Sequence, residues 1–198
     1  LKNEKYNSKK LDLSSIKIIT STGSPLAEES FKYVYENIKQ DVHLASIAGG
    51  TDLVGCLVLG NLYSNVYKGE IQGQSLGIDV DVFTNNGKST KDGDKGELVV
   101  KKPFPSMPVK FWGDNDGQKY HKAYFTRFEN IWHHGDFIER TSNNGFIMRG
   151  RSDSTLNPGG VRIGTSEIYQ QVEDIDFITE GLVVGQDFND DVRIILFV

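Results

Sequence analysis

Residues 16–52 read I-K-I-I-T-S-T-G-S-P-L-A-E-E-S-F-K-Y-V-Y-E-N-I-K-Q-D-V-H-L-A-S-I-A-G-G-T-D, and this stretch decides the fold class. Ile16 to Thr20 is a short, β-branched run suited to a buried strand. Ser24 is placed to cap a helix whose first position is Pro25. Glu28 and Glu29 fall in its first turn, where the helix dipole favours acids. Phe31, Val34, Tyr35 and Ile38 recur at helical spacing as one apolar face, and Asp41 to Ile47 is a second strand. The pattern is a β-α-β unit, with parallel strands and a right-handed crossover. Open α/β sheets bind ligands outside the carboxyl ends of their strands. Two glycine-bearing segments stand there, Gly23-Ser24-Pro25 and Ala48-Gly49-Gly50-Thr51-Asp52. Thr51 offers a hydroxyl to a phosphate oxygen and Asp52 a carboxylate to Mg²⁺. The same residues equally suit two ordinary turns, with Asp52 capping the next element of the chain.

From Tyr67 to Lys101 the pattern becomes β. Lys68 to Gln72 reads as a strand, and Ile78, Val80 and Val82 alternate with Asp79, Asp81 and Phe83 as a half-exposed one. Asn85-Asn86-Gly87 is a hairpin turn and Gly96 to Val100 another strand. Short strands with tight turns predict an antiparallel sheet or small barrel. Ile131 to Asp136 reads as a strand ending on an acid, and Gly145 to Gly150 leads into the arginine-rich stretch Arg149 to Glu167. There the turn Asn157-Pro158-Gly159-Gly160 cannot be helical, so the chain folds back and brings Arg151 and Arg162 together. Two close guanidiniums suit an anion such as phosphate; the competing reading is a surface hairpin with solvated arginines.

The 198 residues carry 37% hydrophobic and 11% aromatic side chains, a globular composition. Acids and bases are interleaved at a net charge of −5, which argues against a nucleic-acid or anionic-membrane surface. No apolar run is long enough to span a membrane. Cys56 is the single cysteine; its apolar neighbours predict a buried thiol and a cytosolic setting. Phosphate-loop, dinucleotide-binding, nucleophile-elbow and zinc-protease motifs are lacking from the sequence. His133 and His134 would face opposite sides of a strand, so they read as packing or supporting groups rather than a shared metal site. The polar opening run and the strand-like close, Val192 to Val198, lead us to expect an internal stretch of a longer protein.

Taken together, G-S-P at 23–25, G-G-T-D at 49–52, G-E-L at 96–98, H-G-D at 134–136, G-R-S-D at 150–153 and L-N-P-G-G-V-R-I-G-T-S-E-I at 156–168 resemble the adenylate-forming superfamily. Its members include acyl-CoA synthetases, peptide-synthetase adenylation domains and luciferases. P-F-P-S-M-P-V at 103–109, Y-H-K-A-Y-F at 120–125 and W-H-H-G-D at 132–136 resemble its acetoacetate-activating branch in particular. The resemblance runs from about Leu11 to Val198.

It implies the end of a doubly wound α/β layer (1–64), then an antiparallel β subdomain (65–151), together the C-terminal part of a large AMP-binding domain. Residues 152–198 would begin a small, mobile α+β domain. It also implies substrates acetoacetate, ATP and coenzyme A, with Mg²⁺, reacting through an acyl-adenylate. A ligase for another short-chain or keto acid, or a nucleotide-binding remnant, are the competing readings. By the same resemblance Gly23, Ser24 and Pro25 line the adenine pocket, and Ser46, Ile47, Ala48, Gly49, Gly50 and Thr51 face the adenylate. Thr51 touches the α-phosphate, Asp52 serves Mg²⁺, and Asp136 accepts hydrogen bonds from the ribose. Arg151 faces ribose and phosphate, Arg162 contacts phosphate, Gly159 lies where coenzyme A approaches, and Asp153 is the hinge. Acetate-activating relatives carry a tryptophan at the position of Gly49, whose absence implies room for a longer acyl group. The family's phosphate-cradling loop and late catalytic lysine have no counterpart in the 198 residues, so the chain alone is expected to be inactive.

Overall fold

A computed structural model describes residues 11–158, 161, 163–173, 175, 177–178, 180–188 and 191–198. Strands β1 (Ile18–Ser21) and β2 (His43–Ser46) run parallel, Ile18 opposite His43 and Ser21 opposite Ser46, as the β-α-β reading requires. Between them α1 (Glu28–Tyr33) continues into a π-helical turn, Val34–Ile38. The helix begins later than expected. Ala27 is its N-cap and no side chain caps it. Glu28 and Glu29 stand in the first turn, so their fit to the dipole marks the start and Ser24 stays exposed in the preceding loop. Phe31 is buried, and Val34, Tyr35 and Ile38 are half-buried.

The segment expected as a second loop is a strand. β3 (Ala48–Gly50), β4 (Gly55–Leu59) and β5 (Gly73–Gln74) form an antiparallel three-stranded sheet, with a register shift between Ala48 and Gly49. Strands β6 (Val80–Phe83), β7 (Lys95–Val100), β8 (Trp132–Arg140) and β9 (Phe146–Arg151) form an antiparallel four-stranded sheet in chain order. Lys68–Gln72 is no strand: Gly69 turns at φ +77° and Ile71 alone bridges to Phe146. β6 is buried on both faces rather than half-exposed. Asp81 tolerates this because Arg140 (2.6 Å), Ser89 (2.7 Å) and Lys101 (3.1 Å) all meet its carboxylate. β8 runs four residues past Asp136, which puts that acid inside the sheet instead of at its end. Leu57, Val58, Val82, Leu98, Trp132, Ile138 and Phe146 join the two sheets in one core. No helix among the described residues is long and apolar enough to cross a membrane.

After β9 the chain makes a 3-10 turn, Ser152–Ser154, and folds back so that Leu156 and Ile163 exchange backbone hydrogen bonds of 2.9 and 2.8 Å. The fold-back expected here is present, though Gly159, Gly160 and Arg162 lie outside the described residues. Helix α3 (Thr165–Glu173) packs on β9, and its Glu167 pairs with Lys95 at 2.6 Å. Strands β10 (Leu182–Phe188) and β11 (Asp191–Phe197) close the chain as an antiparallel hairpin.

Glu97, on β7, has no exposed surface, yet three groups meet its carboxylate. Arg127 Nη2 lies 3.0 Å from Oε1, His133 Nε2 donates to Oε2 at 2.9 Å, and the Ser152 hydroxyl donates to Oε2 as well. Truncating one member of such a buried set strands the others without a charge partner. Glu97→Ala is expected to lower stability by about 3–5 kcal/mol in urea unfolding. A loss below about 1 kcal/mol, the range of exposed pairs, would show that the cluster is not structural.

Candidate functional site

A cleft of about 660 Å³ lies between the end of β1, strand β3, and the β8–β9 pair. It collects most of the residues singled out in the sequence. Gly23, Ser24 and Pro25 form one wall, Ser46 to Thr51 the floor, and Asp136 and Arg151 the far side. Asp52 and Asp153 do not line it, and Gly159 and Arg162 lie outside the described residues. Thr22, Val54, Gly55, Cys56, Ile71, Met148 and Gly150 complete the lining, and of these only Gly150 belongs to a motif assigned to the site in the sequence, G-R-S-D. Cys56 is half-buried at this wall rather than enclosed, and burial pushes its thiol pKa up. A second cleft, about 630 Å³, is lined by Lys101, Tyr120, His121 and Trp132 among others and contains none of the expected site residues.

Register places the charged pair. Asp136 stands directly opposite Arg151 across β8 and β9. Between His134 and Asp136, Gly135 takes φ +85°, and a β-carbon there would come within 2.7 Å of Arg151 Nη2. The glycine of H-G-D thus lets the guanidinium lie flat over the strand. Arg151 Nη1 donates to the His134 carbonyl at 3.2 Å and to Asp136 Oδ1 at 3.4 Å, while its Nε faces Asp153 at 3.6 Å. Asp136 is only 7% exposed. Burial raises its pKa, and the nearby His134 and Arg151 oppose that rise only in part. Arg149 belongs elsewhere, bound through Nε and Nη2 to Glu139 on the neighbouring strand.

Asp52 is exposed at the rim. The Tyr124 hydroxyl donates to its Oδ2, and its Oδ1 folds over Gly50, where a β-carbon would lie 2.0 Å away. Tyr124, from helix α2 (Gln118–Tyr124), stacks on Trp132 at 3.6 Å between ring centroids. Burial, then the Asp52 carboxylate, push the Tyr124 pKa well up, so the phenol stays a donor. Among the described residues no three His, Cys, Asp or Glu side chains gather to hold a metal ion. A single carboxylate at the rim still suits Mg²⁺, which uses one or two protein carboxylates and takes its remaining ligands from phosphates and water.

Gly49 does not leave the space expected of it. A β-carbon there would sit 2.1 Å from the Gly55 carbonyl oxygen and 2.5 Å from the Cys56 Cα. Backbone of β4 fills the place a side chain would take, so the glycine serves strand packing and opens no room for an acyl group.

No family model matches the chain. Over 187 residues, 94% of this chain, it is 61% identical to an acetoacetyl-coenzyme A synthetase of Rhizobium meliloti. The structure of an acetoacetyl-CoA synthetase from Streptomyces lividans superimposes with a TM-score of 0.82 at 39% identity, covering 91% of this chain. The chain is similar to acetoacetyl-CoA synthetases along nearly its whole length. It spans 29% of the first of these proteins and 28% of the second. An anthranilate CoA ligase in complex with anthranoyl-AMP shares the fold, with a TM-score of 0.76 at 17% identity over 96% of this chain and 35% of its own. The mixed α/β arrangement with antiparallel sheets is thus shared with the acetoacetyl-CoA synthetase and the anthranilate CoA ligase.

A buried carboxylate with a raised pKa binds more protons folded than unfolded, so its contribution to stability falls as pH rises through the folded value. Asp136→Asn is therefore expected to raise Tm at pH 7–8, about 2–4 °C per kcal/mol relieved, and to lose that advantage near pH 4. Calorimetry across that range checks the sign. A variant destabilised more at pH 8 than at pH 4 would contradict it.

Proposed function

We propose that this chain supplies the adenosine-facing part of an ATP-dependent acid–thiol ligase that converts acetoacetate to acetoacetyl-CoA. The observation that carries the reading is the convergence of the two glycine-bearing segments with Asp136 and Arg151 on one cleft. The Gly23–Pro25 wall suits a flat base, since Gly23 at φ +95° has open space where a side chain would stand. Asp136 is a buried acceptor for ribose hydroxyls, and Arg151 is a half-exposed cation beside it. Thr51 would contact the α-phosphate. The motif resemblance adds Arg162 on phosphate, Gly159 at the coenzyme A approach, and Asp153 as hinge between 1–151 and 152–198.

In such a ligase the carboxylate of acetoacetate attacks the α-phosphorus of ATP, releasing pyrophosphate and forming acetoacetyl-AMP. The thiol of coenzyme A then displaces AMP and gives up its proton. The first step needs aligned oxygens and charge neutralisation more than covalent help. Bound Mg²⁺ would neutralise phosphate charge, with Asp52 as its protein ligand. This chain's residues orient the nucleotide: Asp136 fixes the ribose, Arg151 balances that carboxylate, and Tyr124 holds Asp52 by one oxygen. Because the chain spans under a third of its acetoacetyl-CoA synthetase relatives, binding rather than turnover is the property to measure on it.

Isothermal titration with AMP is expected to show one site, weakened about 10- to 100-fold in Asp136→Asn, as loss of a hydrogen bond to a charged group implies. Lys122→Ala, at an exposed residue outside the cleft lining, is expected to bind like the unaltered chain. Unchanged affinity in Asp136→Asn would sink the reading.

A further inference from the structure

Trp132, His134 and Asp136 stand at every second position of β8, and their polar atoms approach one another in that order, ending on Asp136 in the cleft wall. Trp132 is 1% exposed and His134 6%. The Trp132 indole N–H lies 3.4 Å from His134 Nδ1, and His134 Nε2 lies 3.7 Å from Asp136 Oδ2. We propose that His134 is a positioning residue for Asp136, and that Trp132 sets its tautomer.

An indole nitrogen can only donate. The imidazole nitrogen it faces must therefore present a lone pair, which places the proton of neutral His134 on Nε2, toward the carboxylate. The indole is itself held in place by the parallel Tyr124 ring on its face and by Phe104 edge-on at 5.6 Å. Arg151 meets the other oxygen, Oδ1, so the two Asp136 oxygens are approached by two different donors. The lone pairs left over face the cleft, where hydroxyl donors can reach them. With the opposite tautomer a lone pair would face Oδ2, and the carboxylate would turn away from its acceptor pose. At 3.7 Å the imidazole acts on Asp136 through its dipole rather than through a formed hydrogen bond. The ligand class is a nucleotide bearing free ribose hydroxyls, and this assignment rests on the ribose role proposed for Asp136.

The test uses the whole chain and has two arms. Long-range proton–nitrogen NMR of the unliganded chain should show His134 with unprotonated Nδ1 and protonated Nε2, and Trp132→Phe should mix the two tautomers. A protonated Nδ1 in the unaltered chain overturns the proposal. In the second arm AMP and 2′,3′-dideoxy-AMP are titrated in parallel. The unaltered chain should prefer AMP, His134→Ala should cut that preference by about tenfold, and His134→Gln, whose amide N–H reaches the Nε2 position, should restore most of it. Dideoxy-AMP affinity should stay constant throughout. If His134→Ala weakens both nucleotides equally, the residue is merely structural and the proposal fails. If the unaltered chain does not distinguish the two, the ribose role of Asp136 falls and the proposal with it.

Discussion

A carboxylate sealed from water, Glu97, is the constraint around which the β region is arranged. Removing an ion from water is costly, and the cost is recovered only if its partners are close and well aligned. Partners reach it from separated places, among them the loop bearing Arg127, strand β8 through His133, and the turn after β9 through Ser152. Satisfying one acid therefore fixes the register of β7 with β8 and ties down the point where the chain leaves the sheet. That exit point is next to Arg151 and Asp153, so the same cluster steadies one side of the cleft.

Strand β8 then divides its labour by face. His133 turns toward Glu97 and the structural cluster, while Trp132, His134 and Asp136 approach one another on the strand's other face. Gly135 is the residue that lets both arrangements coexist with Arg151, since any side chain there would displace the guanidinium. Structural and functional polar groups are thus interleaved along one strand. Asp136 itself carries an unfavourable burial that its neighbours relieve only in part. Such a group persists where an acceptor is needed more than stability.

Much of this was legible in the sequence. The β-branched residues of β1, β7 and β11 marked those strands, and the position of the two glycine-bearing segments came from parallel pairing alone. What escaped was set by contacts between distant residues. The alternation in β6 looked half-exposed because the partner that lets Asp81 be buried, Arg140, is 59 residues away. Tyr124 and Asp52 meet across 72 residues, so nothing local assigned the tyrosine to the site. β3 was hidden by its own glycines, which remove the side-chain pattern that marks a strand. Gly49 shows the same limit from the other side. A missing side chain looks like free space in a sequence, and here neighbouring backbone occupies it.

In the proposed site adenosine lies against Gly23–Pro25 with its ribose on Asp136. Photolabelling the chain with 8-azido-AMP and mapping the labelled peptide tests this placement most directly. Label is expected within 18–32, removed by excess AMP. Label concentrated in 100–132, along the second cleft, or label that AMP does not displace, would contradict it.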